Sequence, residues 1–222
     1  MSSSGVVDDW EVAPSTLEFT ELLGEGAFGK VMKANFQRKI QNNENETVVF
    51  ENQIVAVKMV PDNCEDTLAE DFIQEIAISK RMGRHPCLVN MIACIIHNRP
   101  FCLIVEFCEK GDLLSFLIDQ RKQLQSDGKT LKNFTYIDLL TMAKQIALGM
   151  EFISVRGFIH RDLACRNVMV DANNNAKIGD FGLARYGYDN NIYLARLGRA
   201  LPIRWMPPEA IYDRQFTSTS DV

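Results

Sequence analysis

The chain has 222 residues, 46% hydrophobic and 24% charged, a globular make-up long enough for one large domain or two small ones. Its formal net charge of −5, with lysines and arginines scattered among acids, argues against nucleic-acid binding by bulk electrostatics. No apolar run approaches the roughly 20 residues of a membrane span, and the start "MSSSGVVDDWEVAPS" lacks a signal peptide's basic and apolar regions.

Residues 1–16 read as a flexible, polar lead-in whose "VDDWE" can dock locally, and the ordered domain begins near Leu17. From there to about Ile54 the pattern is strand-like: "LEFTELLG", then "KVMKANFQ", then a polar excursion "KIQNNENE" typical of a hairpin loop, then alternation again in "TVVFENQIVAVKMV". Residues 67–82, "TLAEDFIQEIAISKRM", carry helical spacing with Phe72, Ile76 and Ser79 on one face, and strands follow in "LVNMIACII" and "FCLIVEF". After "EKGD" the character changes to amphipathic helices, "LLSFLIDQRKQL" and "TYIDLLTMAKQIALGMEFI", the second opening on a capping box from Thr135 to Asp138. The six cysteines, at 64, 87, 94, 102, 108 and 165, follow no CxxC or Cys/His ligand spacing, so neither zinc nor disulfides are indicated.

The segment "GEGAFG", Gly24 to Gly29, fits GxGxxG, a weak signal alone. A Rossmann fold would follow its third glycine with a helix; here "KVMKANF" alternates like a strand, favouring a hairpin turn whose amides approach phosphates, with a merely flexible hairpin as the alternative. In "IVAVKMV", Lys58 is the one charge among β-formers and needs an anion if its ammonium is buried. Glu75 falls on the apolar face of the helix and suits that role, unless Lys58 snorkels to the surface and Glu75 sits on a solvated rim.

"HRDLACRN", residues 160–167, crowds charge between the apolar "GFI" and "VMV". Asp162 there is placed to accept a proton from an incoming hydroxyl, and Asn167 offers an amide oxygen to a hard cation. "KIGDFG" adds Asp180, and one carboxylate plus an amide oxygen suits Mg²⁺, which keeps waters and leans on phosphate oxygens. Each piece alone is also a plausible polar turn. Their order, from glycine-rich turn through strand lysine, helix glutamate, "HRDLACRN" and "DFG" to "PPE" at Pro207–Glu209, is what defeats that alternative.

In this order of motifs the chain resembles the protein kinase family over residues 17–222, and within it the tyrosine kinases, from "HRDLACRN" and "LPIRWMPPEA". Arg166, four residues after Asp162, and "IVEFCEKGDLLSFL" are similar to receptor kinases for fibroblast, platelet-derived and vascular endothelial growth factors. The resemblance implies an α+β, two-lobed kinase fold: a β-rich N-lobe with one main helix at 17–105, a hinge at 106–111 and an incomplete helical C-lobe at 112–222. It implies an ATP-dependent protein-tyrosine kinase using Mg²⁺, the catalytic part of a plasma-membrane receptor with its kinase on the cytoplasmic side. Its partners would be tyrosine-bearing protein substrates and a second copy for trans-phosphorylation.

The same resemblance implies roles for single residues. Leu23 and Val31 would cover the adenine, with Ala56 above and Met169 below, while Glu106 and Cys108 offer hinge backbone and Val105 is the gatekeeper. Gly24, Glu25, Gly26, Ala27, Phe28, Gly29 and Lys30 would form the turn over the phosphates. Lys58, held by Glu75, would contact the α- and β-phosphates; Asn167 and Asp180 would hold Mg²⁺; Asp162 would take the tyrosine proton, with Arg166 near the transferred phosphate. Tyr193 falls at the activation-loop phosphorylation position, with Tyr186 and Tyr188 as further candidates, and Arg161 is the implied partner of its phosphate.

Two departures stand out. Ser79 takes a place where the family usually packs a larger apolar side chain against the "DFG" phenylalanine. The chain also stops at "TSTSDV", where the family fold continues through a buried helix begun by the equivalent of Asp221, whose side chain bonds back to the catalytic loop. An inactive, truncated kinase that binds nucleotide or acts as a dominant-negative module is therefore the alternative expectation.

Overall fold

The computed structural model describes residues 8–26, 29–41, 48–127, 134–187, 193–194 and 202–221. Ala27, Phe28 and Tyr188, expected as site residues, lie outside them. The chain divides into two units, residues 1–76 with 91–107, and residues 77–90 with 108–222.

The first unit is built on a five-stranded sheet. Its strands are β1 (Leu17–Gly26), β2 (Gly29–Gln41), β3 (Val48–Met59), β4 (Met91–Ile95) and β5 (Cys102–Glu106), in the order β1-β2-β3-β5-β4. All neighbours are antiparallel. β2 runs on to Gln41, so the polar excursion expected as loop from residue 39 begins as paired strand: Lys39, Ile40 and Gln41 face Phe50, Val49 and Val48. Ladder hydrogen bonds to β3 outweigh the polarity of these residues. The alternation of β2 and β3 buries Ala34, Phe36, Val55, Val57 and Met59 on one face, where they meet Ala93, Ile95, Cys102 and Ile104. On the other face Phe72 and Ile76, from the first turns of helix α1 (Asp66–Met82), pack with Val60, Met91, Cys94 and Leu103. Trp10, in the stretch read as lead-in, packs against this second cluster.

The second unit holds α2 (Leu113–Asp127) and α3 (Tyr136–Val155), followed by the short pairs β6 (Phe158–Ile159) with β9 (Arg185–Tyr186) and β7 (Val168–Val170) with β8 (Ala176–Ile178). Helix α3 starts where the sequence places its capping box: the Thr135 hydroxyl accepts from the Asp138 amide, and Asp138 accepts from the Thr135 amide at 2.6 Å. Met142 of α3 packs with Val168, Val170 and Ala176, and Met150 and Ile153 pack with Ile178 and Phe181. One face of the helix, through Met142 nearer its start and Met150 and Ile153 nearer its end, thus holds both strands of the β7–β8 hairpin. Gly149 is where they come closest, since a Cβ there would lie 2.7 Å from Ile178 Cδ1 and 3.0 Å from the Cys87 carbonyl oxygen. Near the end of the described chain β10 (Tyr193–Leu194) pairs with β11 (Gln215–Phe216), and α4 (Pro208–Tyr212) precedes β11.

Candidate active site

In the first unit, the strand register lines up the residues expected to meet a nucleotide. Gly24 faces Val31 across β1–β2, Val31 faces Lys58 across β2–β3, and Ala56 faces Val105 across β3–β5. The turn between Gly26 and Gly29 joins two antiparallel strands, so the strand following the glycines, as the sequence indicated, removes the Rossmann alternative. Gly29 has φ +122°, and a Cβ there would sit 2.0 Å from the Met59 carbonyl oxygen, so glycine is required by both backbone and space.

Lys58, next to the last residue of β3, donates to both oxygens of Glu75, at 2.7 and 3.0 Å. The Glu75 side chain is only 6% exposed, against 24% for that of Lys58. The carboxylate is the more deeply desolvated partner, and the lysine is its counter-charge. Of the two alternatives for each residue, the inward pair is the one found.

In the second unit, the loop after β6 gathers the catalytic-type residues around Asp162. Asn167 donates its amide to the Asp162 carbonyl at 2.8 Å and to Asp162 Oδ2 at 2.7 Å, while Arg166 donates to Asp162 Oδ1. Both carboxylate oxygens are thereby oriented. With its nitrogen committed to Asp162, Asn167 offers its amide oxygen to a cation, and Asp180 adds a carboxylate. This hard-oxygen donor set fits Mg²⁺. Asp180 sits at φ 56° immediately before a 3₁₀ turn at Phe181–Leu183, a left-handed conformation that costs a non-glycine residue about 1–2 kcal/mol and marks a site held by its surroundings.

His160 was not among the expected site residues, yet it is fully buried and links the two loops. Its Nδ1 accepts from the Asp162 amide at 3.3 Å, so Nε2 carries the hydrogen donated to the Gly179 carbonyl at 3.1 Å. The ring also meets Phe181 edge-on. Its presence in "HRD" was the available signal, hidden because a histidine beside an aspartate reads as surface chemistry.

Asp221 accepts the amides of His160 at 2.6 Å and Arg161 at 2.7 Å. Burial pushes its carboxyl up, against the opposing pull of those two amides. Arg161, at φ 67°, donates Nε to the Leu183 carbonyl and lays its guanidinium 4.6 Å from the Tyr193 ring centre. Tyr186 is half-exposed on β9, its ring edge-on to Phe158. Met169 bridges to Asp112, and Cys108 is buried. Leu23, Glu25 and Lys30 are exposed.

The family model for protein tyrosine and serine/threonine kinases matches residues 17–222. The chain belongs to this family. Among its relatives are a fibroblast growth factor receptor of Hydra vulgaris, 39% identical over 213 residues, and one of Strongylocentrotus purpuratus, 38% identical over 218 residues. Each alignment covers 96% of this chain but 25% and 22% of the relative, so the kinase spans about a quarter of the length of the curated proteins it matches. Kinases of this family generally use ATP and Mg²⁺. The β-rich first unit and helix-bearing second unit are the α+β kinase organisation. No described helix is long and apolar enough to cross a membrane.

Proposed function

We propose that this chain is the catalytic part of a receptor that transfers the γ-phosphate of ATP to tyrosine hydroxyls of proteins, the parent lying in the plasma membrane with the kinase on its cytoplasmic face. The observation that carries this reading is the oriented Asp162 carboxylate, gripped by Asn167 and Arg166 and keyed through His160 to the strand before Asp180.

Asp162 receives the tyrosine hydroxyl and takes its proton as the oxygen bonds to the γ-phosphorus and the bond to ADP breaks. Lys58, fixed by Glu75, neutralises the α- and β-phosphates, and the turn bounded by Gly26 and Gly29 lets amides approach them. Asn167 and Asp180 would hold Mg²⁺, which supplies charge neutralisation on the phosphate oxygens. Within the first unit, Leu23, Val31 and Ala56 would cover the adenine and the Glu106 backbone would offer its edge a hydrogen bond. Arg166, whose guanidinium lies 5.6 Å from the Trp205 ring centre, stays beside the base to meet the transferred phosphate. Most of the rate comes from positioning and electrostatics.

The test is phosphate transfer from Mg·ATP to a tyrosine peptide by the 222-residue chain, beside a serine peptide and the Asp162→Asn variant. Tyrosine-only transfer that disappears in the variant supports the reading. Equal transfer by Asp162→Asn would sink the assignment of Asp162, and transfer to serine would sink the tyrosine specificity.

A further inference from the structure

The segment before β1 is tied to the far edge of the sheet. Glu11 forms a parallel bridge with Cys94 of β4; the Cys94 amide donates to the Trp10 carbonyl at 2.8 Å, and the Val12 amide to the Cys94 carbonyl at 3.0 Å. The Glu11 carboxylate accepts the amide of Ile96 at 2.9 Å and that of His97 at 3.1 Å. Those bonds alone would explain a structural tie. They do not explain what else converges on the same carboxylate: the Cys94 thiol, 3.5 Å from Oε2, and the His97 imidazole, whose Nδ1 is 3.0 Å from Oε1. Ligand atoms of Asp8, Glu11 and Cys94 all lie within 4.8 Å of one another, and His97, outside that trio, reaches it through Glu11.

We propose that Asp8, Glu11 and Cys94, with His97 as fourth donor, form a Zn²⁺ site that staples residues 8–12 to the end of β4.

Thiolate, imidazole and carboxylate are the donors zinc takes, whereas Mg²⁺ prefers oxygen alone, so the site is chemically distinct from the Asn167–Asp180 pair. With Zn–S near 2.3 Å and Zn–N or Zn–O about 2.0–2.2 Å, neighbouring donors of a tetrahedron stand about 3.3–3.7 Å apart. The sulfur-to-Oε2 distance already falls in that range, Asp8 needs to close by about 1 Å at most, and the exposed His97 ring, now 3.0 Å from the other carboxylate oxygen, has to swing toward Oε2. The amides of Ile96 and His97 both bond Oε1 and hold the carboxylate still, the role outer partners play around metal-ligating carboxylates, while Oε2, whose bond from the Ile96 amide is the longer at 3.2 Å, is the oxygen left for the metal. Cys94 is completely buried while the His97 side chain is 70% exposed, so the sulfur sits at the inner end and the imidazole at the solvent side from which an ion arrives. On binding, the Cys94 S–H proton passes to solvent and the sulfur bonds the metal as thiolate.

The donors come as two pairs, Asp8 with Glu11 and Cys94 with His97, each three residues apart, and the 83-residue separation of Glu11 and Cys94 keeps any short motif from holding all four; the Cys94-x2-His97 spacing was the one sign available in the sequence. The staple also fixes Trp10, which packs against the cluster that includes Phe72 and Ile76 of helix α1, the helix that carries Glu75.

The experiment titrates Co²⁺, then Zn²⁺, into the reduced, metal-free 222-residue chain and follows absorption. Expected are one equivalent of Co²⁺, an intense near-ultraviolet thiolate-to-cobalt band and visible bands of tetrahedral cobalt, all abolished by Zn²⁺, with a zinc-dependent rise in Tm. Asp8→Asn and His97→Gln, both outside the catalytic residues, should each weaken binding by about tenfold or more. Cys94→Ser should lose the near-ultraviolet band. A band that survives in Cys94→Ser, or unchanged affinity in Asp8→Asn and His97→Gln, overturns the site, as does the absence of cobalt binding at micromolar concentration. If Cys94→Ser does not fold, the Asp8 and His97 variants decide the matter, since each leaves the buried cysteine in place.

Discussion

Asp221 reaches back 60 residues to hold the Arg161 amide with one carboxylate oxygen, while its other oxygen holds the amide of His160. Both donors are backbone groups of a buried loop. Replacing Asp221 by Ala strands two buried amides, each costing about 1–3 kcal/mol, and should destabilise the chain by roughly 2–4 kcal/mol. Urea unfolding reads this directly. A variant as stable as the parent would mean that the loop keeps its shape without Asp221.

Lys58 and Glu75 act as one unit. Lys58→Met leaves a carboxylate buried without its counter-charge, and the variant should lose about 10²-fold or more in kcat. Glu75→Gln should lose less, and the double variant should be little worse than Lys58→Met alone, because the second change removes an interaction already lost. Strictly additive losses would show that the two side chains contribute independently.

Tyr193 stacks on Arg161, and a phosphate there would bring nearly two negative charges to that guanidinium. Tyr193→Phe keeps the ring but cannot be phosphorylated. Its activity should equal that of the parent before exposure to Mg·ATP and fall behind after preincubation. Equal activity of both forms after preincubation would remove Tyr193 from the switch.

Gly29→Ala should destabilise the first unit by about 1–3 kcal/mol and raise the KM for ATP, because the new methyl group can be accommodated only by moving β2 away from the Met59 carbonyl. An ATP-binding curve beside a thermal melt checks both. Unchanged melting would refute the steric argument.

The cap of α3 carries a pH dependence. Hydrogen bonds from the Thr135 side chain and then its backbone hold the Asp138 carboxyl below its ordinary value of 3.8. Its contribution is therefore complete above that value and lost as pH falls through the lower folded-state pKa. Asp138→Asn should be less stable than the parent at about pH 6, with the gap closing toward pH 2. A gap independent of pH would place the effect elsewhere.

Much of this was legible in the sequence because it is local. The α3 cap is written in Thr135 and Asp138, three residues apart, and the strand pair around Gly26 and Gly29 in alternation alone. Lys58 and Glu75 could be paired because each was anomalous by the same rule, a charge where the period demands an apolar side chain. What stayed hidden depends on contacts between distant segments. The continuation of β2 to Gln41 is decided by a partner strand, not by its own polarity. The bridge from Glu11 to Cys94 joins positions with no periodic relation, and His160 acts through a backbone carbonyl that side-chain chemistry cannot reveal.

The imidazole of His160 works as a spacer gauge. It touches the Asp162 amide on one side and the Gly179 carbonyl on the other, so the separation between the proton acceptor and Asp180 is set by the width of one aromatic ring and not by the 17 residues of chain between them. The turn at Asp171–Asn175 lies within that stretch yet outside the gauge, tied to itself through the Asp171 carboxylate and to its neighbours through Glu109, Lys110 and Gln145. Related chains are thus free to lengthen or rewrite that turn without recalibrating the distance on which phosphate transfer depends.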